Sequence, residues 1–267
     1  MRGDIVIVRS GGDIASGVIQ KLHRSGFRVL ILETENPTSI RRTVCFSEAV
    51  FNGKMEIEGI TSVLVKNEEE IVKGWEKDLV PLIVDPNGKY IDIIKPIAVV
   101  DAILAKKNLG MNKNLAPITI GIGPGFEANI DVHIVVESNR GHNLGKLIFE
   151  GSAEKNTGMP GNVAGFTFER VLYSPCDGIL TSNHEIGEVV KKGDIVAVVN
   201  GENIYSKIDG LIRGLIRNGT YVTEGFKVGD VDPRIEQIKN CYTISDKACS
   251  IGGAVLEALM IGKLKLL

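Results

Sequence analysis

The stretch Asp4-Ile-Val-Ile-Val-Arg-Ser-Gly-Gly-Asp-Ile-Ala-Ser-Gly17 decides the expected fold of this 267-residue chain. It opens with a continuous apolar run, which is typical of a strand buried on both faces. After the glycine turn, apolar residues from Ile14 to Leu22 recur at helical spacing, and a second apolar strand covers residues 27–33. Strand, turn, helix and strand therefore form a βαβ unit of about 30 residues.

The turn of this unit is built from small residues. It reads Ser10-x-Gly12-x-x-Ala15 against the template Gly-x-Gly-x-x-Gly/Ala, with serine in place of the first glycine. Gly11 and Gly12 keep Cβ atoms away from an incoming phosphate, and the helix N-terminus favours an anion through its free N–H groups and dipole. The turn therefore predicts a phosphate-bearing ligand. The alternative is a tight turn that binds nothing.

Charged residues near the turn extend this prediction. Glu33 ends the second strand, where a carboxylate can accept from ribose hydroxyls of NAD(P). Asp13 either caps the helix or repels phosphate. Residues 36–43 resemble the start of a helix, and Arg41 and Arg42 either contact a phosphate or lie on a solvated face.

Further apolar runs continue the α/β pattern, at residues 62–65, 81–85, 98–101 and 117–120. We expect a Rossmann-like, mainly parallel sheet, with its ligand crevice at the carboxyl ends of the strands. Asp101 is a candidate residue of that crevice, whereas Asp85 precedes a turn and is better explained as a helix cap.

A second glycine-rich loop follows the run at 117–120. It contains Gly121, Gly123 and Gly125 around a proline, so it is neither strand nor helix interior. Its bare backbone predicts either an anion-binding nest or a plain turn.

A polar cluster comes next along the chain. Asp131 and His133 share one face of a predicted strand with Glu137, and Arg140 and His142 follow in a polar turn. These side chains could hold an anionic group or transfer protons, and the alternative is a polar hairpin. Their spacing matches no zinc pattern, so no metal site is predicted.

An internal repeat with an offset of 32 residues marks the region 174–231. Asp177-Gly178 matches Asp209-Gly210, and Asn200-Gly201 between the halves predicts a hairpin. The repeat resembles biotinyl and lipoyl carrier domains, so we expect a small all-β barrel-sandwich hybrid. The hairpin tip lacks the lysine of a carrier, and Lys207 lies too far along the chain.

These patterns predict a division of the chain into three parts. Residues 1–168 form the α/β domain and residues 169–235 form the β domain. Residues 236–267 form a helical segment that returns to pack on the α/β domain.

The composition of the chain argues against several classes of protein. The net charge of −2 and the pI of about 6.1 argue against a nucleic-acid partner. No apolar run approaches the ~20 residues of a membrane span, and the four dispersed cysteines imply neither zinc nor disulfides. We expect a cytoplasmic protein that binds a small phosphorylated ligand and can form a homo-oligomer.

Several motifs together resemble one family along nearly the whole chain. They are Gly11–Gly17, Arg41–Val44, Gly121–Phe126, Asp131–His133, Asn139–His142, Gly229–Arg234 and Ile244–Ala248. The chain resembles the YqeB-type proteins that accompany selenium-dependent molybdenum hydroxylases, which are distantly similar to the accessory factor of xanthine dehydrogenase. The chain departs from this family at Ser10, where the family more often has a further glycine in addition to Gly11 and Gly12.

The resemblance implies an accessory role in maturing a molybdenum hydroxylase, with a subunit of that enzyme as partner and a molybdopterin-type cofactor as ligand. It transfers no catalytic residue. Two alternatives stay open, an NAD(P)-dependent oxidoreductase and a non-enzymatic scaffold that docks a partner enzyme.

Overall fold

A computed structural model describes residues 3–266 of the chain. Its contacts define two compact units. The first contains the chain up to Pro37, Cys45–Asn156 and the chain from Ile244 onward, and the second contains Thr38–Val44 and Thr157–Thr243. The division into three parts that the sequence predicts, at residues 1–168, 169–235 and 236–267, stays a prediction.

The first unit combines a large sheet with helices on both of its faces. Its strands are β1 (Ile5–Arg9), β2 (Arg28–Glu33), β3 (Lys54–Ile57), β4 (Ile60–Val65), β5 (Val80–Val84), β6 (Ala98–Asp101), β7 (Ile118–Ile122), β8 (Glu127–Ala128), β9 (Ile134–Val136), β10 (Leu147–Ile148) and β11 (Gly151–Ser152). Its helices are α1 (Asp13–Arg24), α2 (Ala49–Asn52), α3 (Glu68–Glu76), α4 (Lys89–Ile94) and α5 (Asp246–Leu266).

The described strands form a mixed, nine-stranded sheet with the order β10-β9-β7-β6-β1-β2-β5-β4-β3. From β9 to β4 the neighbours run parallel, whereas β10 and β3 pair antiparallel at the two edges. A two-residue turn joins β3 to β4, and both Glu58 and Gly59 have positive φ, as this tight hairpin requires. We call the edge where the parallel strands end the carboxyl edge.

Strand β1 shows why its sequence is apolar throughout. Val6 and Val8 belong to the core cluster that also contains residues of α1 and α5. Ile7 points to the other face, into a cluster with Ile71 of α3 and Ile91 of α4. Because both faces are covered by helices, every position of the strand interior must be apolar.

Helices α1 and α5 pack at unusually close range through glycines. A Cβ on Gly252 would lie 2.7 Å from the carbonyl carbon of Gly17, and a Cβ on Gly17 would overlap the backbone of Ala248. Glycine destabilises a helix interior relative to alanine. The contact explains why Gly252 is nevertheless present in α5, since only glycine leaves room for the facing backbone. Gly253, in contrast, has open space around it.

The second unit contains short strands in two four-stranded antiparallel sheets, with the orders β12-β19-β17-β14 and β16-β15-β13-β18. The strands are β12 (Val171–Tyr173), β13 (Gly178–Thr181), β14 (Val189–Val190), β15 (Ile195–Val199), β16 (Glu202–Tyr205), β17 (Gly210–Leu215), β18 (Tyr221–Val222) and β19 (Lys227–Asp232). The hairpin at Asn200-Gly201 is confirmed between β15 and β16.

The predicted fold class is wrong. The large sheet is mixed, because the hairpin at β3 and the edge strand β10 add antiparallel pairs. The C-terminal β region is not the expected barrel-sandwich hybrid but two separate antiparallel sheets, and each half of the repeat contributes strands to both. A sequence repeat locates strands along the chain, but tertiary contacts decide which strands pair.

One local expectation also fails. The helix expected to start within residues 36–43 is absent there, and a short 3₁₀ turn at Arg42–Val44 takes its place. None of the helices described between residues 3 and 266 is long and apolar enough to cross a membrane.

Buried ion pairs stabilise the second unit. Asp232 of β19 is 1% exposed and accepts hydrogen bonds from Arg213 (2.9 Å) and from the side chain and backbone of Arg234. Burial alone would raise the pKa of Asp232, but the hydrogen bonds from Arg234 and Arg213 lower it to about 2. Asp230 on the same strand pairs with Arg170.

The Gly17–Gly252 contact predicts opposite effects for two adjacent glycines. Gly252→Ala should lower the free energy of unfolding by about 1–3 kcal/mol, because its methyl group overlaps the backbone of α1. Gly253→Ala should raise it by about 0.5–1 kcal/mol, because alanine favours an exposed helix position. Urea unfolding followed by circular dichroism measures both, and equal effects of the two substitutions would contradict the contact.

The lowered pKa of Asp232 predicts a loss of stability in acid. A carboxylate with a depressed folded-state pKa stabilises the fold above its unfolded value of about 3.9, and this contribution disappears as the pH falls towards about 2. Asp232→Asn should therefore cost about 2 kcal/mol at pH 7, and its difference from wild type should shrink between pH 4 and 2. Urea unfolding at several pH values tests this prediction. Glu202→Gln is the control, because Glu202 is an exposed carboxylate of β16.

Candidate functional site

The turn after β1 brings an uncapped helix N-terminus to the carboxyl edge. Gly12 is the N-cap residue of α1, and no side chain caps the helix there. The backbone N–H of Ser10 donates to Leu32 (2.8 Å), and the N–H of Gly12 donates to the Ser10 hydroxyl (3.1 Å). The first-turn N–H groups of a helix have no partner within the helix, so the N-terminus of α1 is a candidate anion site at the carboxyl edge.

The two glycines of the turn face different surroundings. A Cβ on Gly11 would lie 2.7 Å from the backbone nitrogen of Ser47, which donates a hydrogen bond to the Gly11 carbonyl. A Cβ on Gly12 would meet only the Ser10 hydroxyl, at 3.4 Å. Gly11 is thus needed for chain packing, and Gly12 is the glycine that leaves room for a ligand. Ala15 is fully buried in α1.

Glu33 lies next to the turn, and its carboxylate accepts hydrogen bonds from the backbone. One oxygen accepts from the N–H of Gly11 (2.8 Å) and the other from the N–H of Thr34 (2.8 Å). Burial raises the pKa of this carboxyl, and the hydrogen bonds from Gly11 and Thr34 act in the opposite direction. The structure therefore gives Glu33 backbone partners where the sequence suggested ribose hydroxyls.

The second glycine loop lies at the same carboxyl edge, but neighbouring groups cover its glycines. A Cβ on Gly121 would lie 2.6 Å from the ring of Phe126, and one on Gly125 would lie 2.6 Å from the backbone nitrogen of Lys107. A Cβ on Gly123 would overlap the hydroxyl of Ser138. Close packing of loops thus accounts for these three glycines, and their contact with a ligand stays a prediction.

The predicted polar cluster is divided between the two edges of the sheet. Asp131 and His133 precede β9 and lie at the amino edge, where the His133 ring is 2.8 Å from the hydroxyl of Thr119 near the start of β7. Burial and the nearby Lys113 lower the pKa of His133. Asp131 accepts from Asn108 (3.0 Å), so these groups serve local hydrogen bonds.

Arg140 and His142 follow β9 and therefore lie at the carboxyl edge. Arg140 forms a bidentate pair with Asp246 in the first turn of α5, at 2.8 and 3.1 Å, and His142 is exposed. The structure thus brings Arg140, but neither Asp131 nor His133, to the edge that carries the Ser10–Gly12 turn.

Arg41 and Arg42 belong to the second unit and bind its backbone carbonyls. Arg41 donates to Asn240 (2.9 Å) and to Thr243 (3.2 Å). Arg42 donates to Leu215 (2.7 Å). These bonds explain both arginines as links within that unit.

Two residues at the carboxyl edge, Arg9 and Lys247, were not predicted from the sequence. Arg9, at the end of β1, forms a buried ion pair with Asp101 at the end of β6 (2.8 Å) and donates to the carbonyl of Leu109. Asp101 stood out as a polar strand end, but nothing in the sequence marked Arg9 as its partner, since adjacency of β1 and β6 arises only in the fold.

The second missed residue is Lys247 in the first turn of α5. Burial and the nearby Arg140 lower the pKa of Lys247, whereas Asp13, Glu137 and Asp246 act in the opposite direction. Lys247 therefore lies among charged groups that belong to α1, α5 and the segment after β9. Within residues 3–266, the structure contains no group of three His, Cys, Asp or Glu side chains that could hold a metal ion.

Comparison with known proteins gives one strong similarity. No protein-family model matches the chain. The chain is 49% identical over 257 residues to the uncharacterized protein YqeB of Escherichia coli (strain K12), which confirms the resemblance to YqeB-type proteins. The match covers 96% of this chain but 47% of that protein, so the chain spans about half the length of the curated relative it matches.

Solved structures give only weak similarity. An aspartoacylase family protein from Mesorhizobium loti is 11% identical with a TM-score of 0.25, over 80% of this chain and 59% of that one. The product-bound ectoine utilization protein EutE (DoeB) from Ruegeria pomeroyi is 9% identical with a TM-score of 0.26, over 86% of this chain and 85% of that one. Similarity at this level carries no argument about fold or activity. The chain is thus similar, along nearly its whole length, to about half of YqeB.

Proposed function

We propose that this chain is an accessory protein in the maturation of a selenium-dependent molybdenum hydroxylase, and that it binds a phosphate-bearing cofactor at the N-terminus of α1. The ligand is a molybdopterin-type cofactor or a nucleotide. The observation that carries the binding proposal is the uncapped N-terminus at Gly12, which leaves room for an anion at the carboxyl edge.

Hydrogen-bonding chemistry supports a phosphate at this point. A helix N-terminus offers several N–H donors and a favourable dipole to one anion, and phosphate oxygens accept several bonds at once. Asp13 in the first turn opposes such an anion, while Lys247 of α5 provides a positive charge close to Asp13. A phosphate at this point gains from the N–H donors of α1, and the charge of Lys247 counters that of Asp13.

The maturation role rests on the family resemblance, which the similarity to YqeB supports. Its partner would be a subunit of the hydroxylase, and the small β unit is a reasonable docking element for it. The alternative of an NAD(P)-dependent oxidoreductase loses support, because Glu33 is only 7% exposed and its oxygens already accept from the backbone N–H groups of Gly11 and Thr34.

Substitution of Gly12 tests the binding proposal. Gly12→Val should leave the fold intact, because a Cβ there meets only the Ser10 hydroxyl at 3.4 Å, but its methyl groups would cover the N-terminus of α1. We expect the affinity for a pterin dinucleotide or a mononucleotide, measured by calorimetry, to fall at least about tenfold, which corresponds to roughly 1.4 kcal/mol. Gly253→Ala is the control. Unchanged affinity in the Gly12 variant, or no binding by the wild type, would exclude this site.

The partner is tested separately. Affinity purification of the tagged chain from its native host should recover a molybdenum hydroxylase subunit, identified by mass spectrometry. The same purification with the Gly12→Val variant distinguishes docking that depends on the ligand from docking that does not. Recovery of no hydroxylase subunit in either case would count against the maturation role.

A further inference from the structure

Glu33 is a buried acidic residue whose function the proposed phosphate site leaves unexplained. It is 7% exposed, and its carboxylate is shared between two backbone segments, the Ser10–Gly12 turn and the residue directly after β2. The Ser10 hydroxyl also hydrogen-bonds to it. Each oxygen of the carboxylate therefore has a donor within the same unit.

The turn that Glu33 contacts has an unfavourable backbone. Ser10 has a φ of 86°, in the left-handed region that residues other than glycine rarely adopt. The template residue at this position is glycine, which adopts that region without strain. A serine here therefore requires neighbouring groups that hold the turn in place.

The chain packs closely against Gly11, the residue whose N–H donates to Glu33. The backbone N–H of Ser47 donates to the Gly11 carbonyl (3.0 Å), and its nitrogen lies 2.7 Å from the position that a Cβ on Gly11 would take. In dinucleotide-binding folds a carboxylate at the end of the second strand accepts from a ribose hydroxyl. Here the carboxylate is buried and accepts from the backbone N–H groups of Gly11 and Thr34 instead.

We propose that Glu33 is a positioning residue, which clamps the Ser10–Gly12 turn so that the N-terminus of α1 stays open to a phosphate, and that it does not bind a ribose. This inference rests on the proposed phosphate site. According to this proposal, the protein recognises the phosphate end of its ligand, and the ligand does not need a ribose.

The clamp depends on two acceptor oxygens. In Glu33→Gln one oxygen becomes an NH₂ group, which donates and therefore cannot accept from Gly11 or Thr34. In either orientation of the amide, the hydrogen bond from Gly11 is lost or is no longer charge-assisted, so the Ser10 conformation is held less firmly. Glu35→Gln is the matched control, because Glu35 is an exposed carboxylate only two residues further along the chain.

The test compares two probes that differ only in the nucleoside. Inorganic pyrophosphate lacks a ribose, and ADP carries the same two phosphates on adenosine. We expect Glu33→Gln to weaken the binding of both probes by the same factor, about tenfold in calorimetry, while Glu35→Gln changes neither. Loss of ADP binding with unchanged pyrophosphate binding would show that Glu33 contacts ribose and would overturn the proposal.

A measurement without ligand separates this inference from the proposed function. Amide hydrogen exchange followed by NMR should be faster at Gly11 and Gly12 in Glu33→Gln, with the amides of β7 unchanged as a reference. If the wild type binds neither probe, the phosphate site fails, and this exchange still decides whether Glu33 holds the turn. Unchanged exchange at Gly11 would refute the clamp. If Glu33→Gln does not fold, Glu33→Asp, which keeps the charge but shortens the reach, takes its place.

Discussion

The backbone pairing of β1 with β2 on one side and β6 on the other determines the arrangement of the first unit. The register places Arg9 opposite Leu32 and Asp101, so the ends of three strands meet at one point of the carboxyl edge. The Ser10–Gly12 turn, the carboxylate of Glu33 and the Arg9–Asp101 pair all lie there as a result. Because Val6, Ile7 and Val8 are fully buried, a change of register would move apolar side chains of β1 out of two core clusters at once.

Charge at this edge is largely neutralised within the protein. Asp101 is paired with Arg9, Arg140 with Asp246, and Glu33 with backbone N–H groups. The proposed phosphate site therefore relies on the N–H groups at the N-terminus of α1. A site of this kind suits an anion that is recognised through backbone N–H groups rather than through a cluster of arginines.

Local patterns predicted local structure well. The apolar run, the glycine turn and the helical spacing located β1, α1 and β2 to within about two residues, because each depends on neighbours in the sequence. The fold class failed where pairing partners are distant. Residues 54–57, for which no strand was predicted, form an antiparallel edge strand, and the repeat could not show how its strands divide between two sheets.

The candidate site shows the same limit. The sequence identified the turn and Glu33, but it assigned Glu33 to a ligand because the contact with Gly11 arises only when β1 and β2 pair. It grouped Asp131 and His133 with Arg140 and His142 by proximity along the chain. Strand β9 lies between the two pairs, however, and a strand holds the residues at its two ends apart by its own length, about 3.3 Å per residue.

The division of the first unit into three chain segments has a consequence for biosynthesis. Helix α5 covers α1 and completes a core cluster whose buried members before residue 244 lie between residues 6 and 136. On the ribosome, that apolar face stays uncovered until more than 100 further residues have been made, including those of the β unit. Such long-range closure slows folding and prolongs the exposure of apolar surface. Nascent chains stalled before residue 246 should therefore be the ones that chaperones hold longest.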